Sequence, residues 1–182
     1  MQRRNSVSRY VAEPKSRNDL RQMALGFRRS LKLDNTPFFP VERVLEIMSF
    51  IFPKFNWCIV DDDKMPAQEH ANTDVIACTI NIKQSVYDRA CSGAGRDRMT
   101  IAHEIGHYLL LCEYGVRFCR NYDNDNSKLY CDPEWQAKCF AGELLMPAHL
   151  VKDLAAEEIA NTCGVSIDAA KYQYNVIHKG GV

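Results

Sequence analysis

Residues 96–111 read RDRMTIAHEIGHYLLL and contain two histidines, His103 and His107, four positions apart. Apolar residues recur at helical spacing along this stretch, so it is predicted to form an amphipathic helix over 96–111. Side chains four positions apart on a helix project from the same face, which brings both imidazoles close enough to bind one ion. This helix is therefore expected to carry a metal site.

The His-Glu-x-x-His spacing is typical of a catalytic zinc site. Zinc accepts imidazole nitrogen readily, and Glu104 is expected beside the open coordination position, where it can act as a general base. Two histidines with no partner would be costly to bury among the apolar neighbours of this helix, so we favour a metal site over coincidence. Manganese or iron in place of zinc remains open at this stage.

A catalytic zinc usually has three protein ligands, and the third should come from another element. The longer pattern that supplies a third histidine ten residues after the first fails here, because that position is Glu113. The downstream candidates are all residues with a carboxylate, imidazole or thiol: Glu113, Asp123, Asp125, Asp132, Glu134, Glu143, His149, Cys112 and Cys119.

Glu134 is favoured among these candidates by its local sequence. Asp132 and Pro133 predict a helix start just before it, as an N-cap and a first helical residue. Ala137 and Ala141 follow on the same side, and Gly106 removes bulk from the facing helix, so the two helices are expected to approach closely. A carboxylate at a helix N-terminus is also favourable without a metal, so spacing alone leaves this ligand only slightly favoured.

Two longer motifs resemble the ImmA/IrrE family of metallo-endopeptidases. Residues 98–107, RMTIAHEIGH, are similar to the family's R-F-T-x-A-H-E-x-G-H helix, with Met99 in place of the usual Phe. Residues 134–147, EWQAKCFAGELLMP, are similar to E-x-x-A-N-x-F-A-x-x-L-L-M-P, with Lys138 where Asn is common. The resemblance covers roughly residues 40–177. It implies a zincin-like fold, one Zn²⁺ held by His103, His107 and Glu134, and Glu104 as the catalytic carboxylate.

The resemblance also implies a protein substrate, because members of the family typically cleave a helix-turn-helix repressor encoded nearby. We therefore expect a zinc-dependent endopeptidase that cleaves a co-encoded, Xre-like regulator or antitoxin partner. One alternative is a metal-bearing module that binds a regulator without cleaving it; the intact Glu104 argues against this, since binding does not need that carboxylate. A second alternative is a protease toxin of a toxin–antitoxin pair.

The whole chain predicts an α+β fold, mostly helical, with a small mixed or antiparallel sheet and a C-terminal helical pair. We expect a basic flexible tail over 1–18, a zincin-like core over 19–147 and a helix-turn-helix-like appendage over 148–182, packed on the core. Within the core, Asp19 is the expected N-cap of the first helix, and Asn56–Val60 and Asp74–Lys83 are expected strands.

Several finer expectations follow from the same pattern reasoning. The edge of the strand Asp74–Lys83 is expected to pair with an extended substrate segment. Tyr114–Cys131 is expected to be a polar loop, and Ser166 to cap the second helix of the C-terminal pair. A donor for the tetrahedral oxyanion is also expected. Its candidates, which the sequence does not rank, are His149, His178, Tyr108 and Tyr130.

Charge and cysteine content limit the partners and the cellular location that the sequence predicts. Residues 1–33 carry nine Lys/Arg against two acidic residues. We favour a solvated leader there over contact with nucleic acid, and the acidic C-terminal pair also argues against DNA binding. The eight cysteines include no CxxC pair, and no apolar run suits a signal peptide or a membrane span. These features predict free thiols, a cytoplasmic location and no membrane partner.

Overall fold

The computed structural model describes residues 12–113 and 129–179. Its helices within these ranges are α1 Arg17–Ser30, α2 Val41–Ile51, α3 Gln84–Cys91, α4 Gly95–His107, α5 Pro133–Leu145, α6 Ala148–Val151, α7 Ala156–Cys163 and α8 Ile167–Lys179. Its strands are β1 Asn56–Val60, β2 Ala71–Asp74 and β3 Thr79–Lys83. The predicted α+β class, mostly helical with a small mixed sheet, is confirmed.

The three strands form one sheet in the order β1-β3-β2. β3 is parallel to β1 and antiparallel to β2, so it is paired on both sides. The predicted single strand Asp74–Lys83 is wrong, because the chain turns between Asp74 and Thr79. The Asp74 carboxylate accepts hydrogen bonds from the backbone N–H groups of Ile76 and Ala77, and Ile76 points into solvent at 99% exposure. The edge open to further pairing beside this hairpin is therefore β2, and not β3.

The first helix begins earlier than the sequence pattern predicts. Ser16, and not Asp19, is its N-cap: the Ser16 hydroxyl accepts from the Asp19 N–H, and the Asp19 carboxylate accepts from the Ser16 N–H. The backbone N–H of Ala12 and that of Lys15 donate to the carbonyls of Cys131 and Tyr130. The described part of the predicted tail is thus paired with the segment that leads into α5. Residues 1–11 and residues 114–128, which hold most of the predicted polar loop, lie outside the described residues.

Helices α4 and α5 pack closely at the centre of the molecule. A Cβ added at Gly106 would lie 3.2 Å from the Ala137 carbonyl oxygen and 3.2 Å from Phe140 Cδ1, so only glycine fits without displacement. This confirms the close approach predicted from Gly106 and Ala137. After His107 the helix continues as a π-helical turn, Tyr108–Glu113, where a regular helix was predicted to Leu111.

The C-terminal pair α7–α8 packs against the start of α4. The break predicted at Gly164 is confirmed, since this residue ends α7 in the left-handed conformation with φ 64°, and the Ser166 hydroxyl accepts from the Ala169 N–H at the start of α8. The fully buried Arg98 of α4 donates to the carbonyls of Cys163 and Gly164. These bonds fix the turn between α7 and α8 relative to the helix that carries the two histidines.

Candidate metal centre

Two helices bring the three predicted ligands together. His103 and His107 lie one turn apart on α4, and Glu134 lies in the first turn of α5. The His103 Nε2 and His107 Nε2 atoms are 3.0 Å apart. The Glu134 carboxylate oxygens lie 3.2 Å from His103 Nε2 and 3.4 Å from His107 Nε2. One ligand atom from each residue therefore converges on a common point.

These separations fit the coordination sphere of a small cation. Tetrahedral ligands at bond lengths of about 2.0–2.1 Å lie about 3.3 Å from one another, which is close to the three observed distances. Two imidazoles and one carboxylate are also a donor set that zinc takes at catalytic sites. His103, His107 and Glu134 can hold a metal ion within the described residues.

The other predicted ligand candidates have different partners. The Asp132 side chain caps α5 by accepting from the Glu134 N–H, Glu143 pairs with Arg21 at 2.9 Å, and the His149 ring contacts the Asp34 carbonyl. Cys112 and Glu113 follow the metal helix in the π-helical turn. Asp123, Asp125 and Cys119 lie outside the described residues.

The charge of Glu134 suits a cation. Hydrogen bonds from His103 and then from His107 hold the pKa of the Glu134 carboxyl well below its ordinary value, against the opposing effect of burial. These contacts stabilise the ionised carboxylate, which is the form that binds a cation.

Glu104 is fixed by a residue that the sequence reasoning missed. Its side chain is buried, and the Thr73 hydroxyl lies 2.7 Å from Glu104 Oε2, to which it can donate a hydrogen bond. Thr73 belongs to the edge strand β2, so this bond ties that edge of the sheet to α4. The two residues are 31 positions apart, and the sequence contains no motif that links them. Thr73 could have been identified from the sequence only if the β2–β3 turn had been placed correctly.

A cavity of about 330 Å³ opens beside His103. Its walls come from α1, α4, α5 and α8, and their surface is mainly apolar. The lining residues include Met99, Trp135, Cys139, Ala169 and Tyr172, together with the polar residues Arg17 and Gln173. Arg17 lies 5.6 Å from the centre of the Trp135 ring and donates to the Tyr172 hydroxyl at 3.3 Å. Part of the C-terminal pair, α8, thus forms a wall of the space next to the ligands.

The four predicted oxyanion donors lie in different environments, which distinguish them as candidates. Tyr108 is fully buried and packs against the rings of Phe52 and Phe55, at 5.7 and 4.6 Å between ring centres. The His178 ring stacks on Tyr174 at the end of α8, and His149 contacts the Asp34 carbonyl as noted above. Tyr130 is 39% exposed and lies just before α5, so it stays a candidate.

Known proteins resemble this chain both in sequence and in fold. The sequence model of the IrrE N-terminal-like domain, Peptidase_M78, matches residues 68–174. A solved structure described as a Mycobacterium tuberculosis transcriptional regulator aligns with a TM-score of 0.57 and 14% identity. The alignment covers 87% of this chain and 46% of that chain, so this chain spans about half the length of the matched structure. The search of curated proteins found no match. Within the described residues, no helix is long and apolar enough to cross a bilayer.

Proposed function

Because the chain belongs to the Peptidase_M78 family, that of the IrrE N-terminal-like domain, we propose that it is a zinc-dependent endopeptidase. The family supports a peptidase that uses a metal; zinc as the ion and internal peptide bonds as the target are our proposal. The observation that carries it is the convergence of His103, His107 and Glu134, with ligand atoms 3.0–3.4 Å apart. The buried residue Glu104 follows His103 directly on the same helix.

The chemistry divides between the ion and the protein. Zinc, when bound, lowers the pKa of water and polarises a carbonyl group, which is what hydrolysis of a peptide bond requires. Glu104 accepts the proton of the attacking water and later returns it to the leaving amine. The Thr73 hydroxyl, at 2.7 Å from Oε2, holds one carboxylate oxygen in place and leaves Oε1 for the proton transfer.

Two features beside the ligands suit a peptide substrate. The edge strand β2 contacts Glu104 through Thr73, so an extended segment that pairs with β2 would pass close to the general base. The apolar cavity beside His103 is large enough for a bulky apolar side chain of that segment. We propose that the cavity contributes to substrate choice.

The substrate we propose is a co-encoded helix-turn-helix regulator in the cytoplasm. The family resemblance supports this, and the likeness to a protein described as a transcriptional regulator is consistent with a role of this fold in gene control. That likeness equally favours a second candidate, in which the chain binds a regulator without cleaving it. The carboxylate of Glu104 separates the two functions, because only cleavage needs a proton acceptor.

The test compares the wild-type protein with Glu104→Gln, and with Glu157→Gln at an exposed position of α7 as the matched control. Each protein is loaded with zinc, its metal content is measured, and it is incubated with the product of the adjacent gene while fragments are followed by mass spectrometry. We expect equal zinc in all three and a rate ~10²–10⁴ lower for Glu104→Gln alone. Equal cleavage by all three would remove Glu104 as the base. If no protein cleaves but all bind the regulator and relieve its repression, the binding function replaces the peptidase.

A further inference from the structure

Two cysteine thiols meet where the β2–β3 turn contacts the segment after the metal helix. Cys78 is the last residue of the turn, and Cys112 lies in the π-helical turn that follows His107. Both thiols donate to the same acceptor, the carbonyl oxygen of Val75, each at 3.7 Å. Both side chains are half-buried, so a small solute can reach them. Two sulphur atoms far apart in the sequence therefore share one oxygen atom at an accessible position.

The other described cysteines lack this arrangement. Cys58 is exposed on β1 and donates to the Asn81 side chain at 2.9 Å, while Cys139 and Cys163 are buried in the core. Cys91 is exposed at the end of α3, beside Tyr87, and Cys131 is half-buried just before α5. Burial, and then the proximity of Cys78, raise the pKa of the Cys112 thiol to about 12. The raised pKa lowers the thiolate fraction of Cys112, so Cys112 is not the thiol expected to attack an oxidant first, and we assign it to the second step.

We propose that Cys78 and Cys112 form a redox-active dithiol that a peroxide oxidises to a disulfide. In the first step the Cys78 sulphur attacks the O–O bond of hydrogen peroxide, which gives a sulfenic acid and one water molecule. In the second step the Cys112 sulphur displaces the hydroxyl of that sulfenic acid, which forms the S–S bond and a second water molecule. Two thiols are oxidised and one peroxide is reduced by two electrons, so no other reactant is needed.

The two thiols lie on the elements that position the metal centre, but neither thiol is one of its ligands. The disulfide would join the hairpin that carries Thr73 to the turn that continues the helix carrying His107. These two elements set where the Glu104 carboxylate lies. Oxidation would therefore cross-link the sheet edge to the metal helix. The disulfide can form whether or not the protein cleaves peptides.

The chemistry can be tested on the full-length, zinc-loaded protein. The wild type, Cys78→Ser, Cys112→Ser and the exposed-cysteine control Cys58→Ser are treated with hydrogen peroxide, alkylated, digested and analysed by mass spectrometry. We expect a Cys78–Cys112 cross-linked peptide in the wild type and in Cys58→Ser only. In Cys112→Ser, dimedone should trap a sulfenic acid at Cys78, since its second thiol is missing.

Thermal unfolding provides a second readout of the same bond. A disulfide that closes a loop of this length should raise the Tm of the oxidised wild type and Cys58→Ser by roughly 5–10 °C, with no rise in the other two variants. The proposal is wrong if a peroxide dose that oxidises Cys58 leaves both Cys78 and Cys112 as free thiols, which are then found alkylated. It is equally wrong if the linkages formed join other cysteines, or if the Tm rises in Cys78→Ser and Cys112→Ser as well.

Discussion

Replacing Gly106 with alanine should push α4 and α5 apart and weaken metal binding. The new Cβ would lie 3.2 Å from the Ala137 carbonyl oxygen, 3.2 Å from Phe140 Cδ1 and 3.4 Å from the Ala137 Cα atom. Two of these three atoms belong to the backbone of α5, so they can move only with that helix. Ordinary contacts of this kind lie at ~3.5–4.0 Å, which requires α5 to shift by about 0.3–0.5 Å.

The magnitude follows from what that shift displaces. Glu134 is carried by α5, and His103 and His107 by α4, whereas bond lengths at a metal site tolerate deviations of only about 0.2 Å. We expect the zinc affinity to fall by ~10–100-fold, the range seen when the groups supporting a metal ligand are disturbed. Overpacking costs about 1–3 kcal/mol and the better helix propensity of alanine returns about 1 kcal/mol, so the metal-free variant should lose about 0–2 kcal/mol of unfolding free energy.

Competition with a chromogenic zinc chelator measures the affinity, and urea unfolding of the metal-free protein measures the stability. The matched control is Gly26→Ala in α1, where an added Cβ meets nothing within 4 Å. This control should keep its zinc affinity and gain up to about 1 kcal/mol. If Gly106→Ala binds zinc as tightly as Gly26→Ala and is stabilised to the same extent, then the contact between α4 and α5 does not require glycine.

Three further predictions concern the site and its surroundings. Glu134→Gln keeps the shape of the ligand but removes its charge, so zinc affinity in the chelator assay should fall at least ~10-fold; unchanged affinity would exclude Glu134 as a ligand. Thr73→Val removes the hydroxyl beside Glu104 and should lower the cleavage rate by roughly 10-fold at unchanged zinc content. A variant that loses zinc as well as activity would contradict this role. Ala169→Phe fills the cavity beside His103 and should shift the preference of the enzyme in a peptide library towards smaller side chains. The control Asn175→Phe, at an exposed position of α8, should leave this preference unchanged. Identical preferences for both variants would show that the cavity does not contribute to substrate choice.

The parts of the structure that the sequence predicted well depend on local, one-dimensional signals. The two histidines and the start of α5 at Asp132 and Pro133 are such signals, because helical spacing and capping chemistry act within a few residues. The approach of the two helices was also accessible, since Gly106 and Ala137 are small residues at the point of contact.

The parts that it missed depend on the backbone or on distant partners. The β2–β3 turn contains no glycine or asparagine, and Cys78 has a positive φ of 51°, so the alternation through Ile76 looked like one continuous strand. The capping role of Ser16 was hidden because Asp19 is an equally good N-cap type. The contact of Thr73 with Glu104 has no sequence signal, since it arises only when the hairpin is placed against α4.

The bonds of Arg98 limit where this chain can be cut. The guanidinium is fully buried, and its acceptors include the carbonyls of Cys163 and Gly164, at the far end of the sequence, and of Phe39. A shortened protein that ends before α7 would keep the cation and lose two of these three carbonyls. The Glu42 carboxylate, 3.5 Å from Arg98 Nε, would still balance the charge. Each lost hydrogen bond to a charged group costs about 1.5–3 kcal/mol, so the two together are a large share of the stability of a typical domain. Truncation or exchange of the C-terminal helices should therefore disrupt the folding of the metal helix itself.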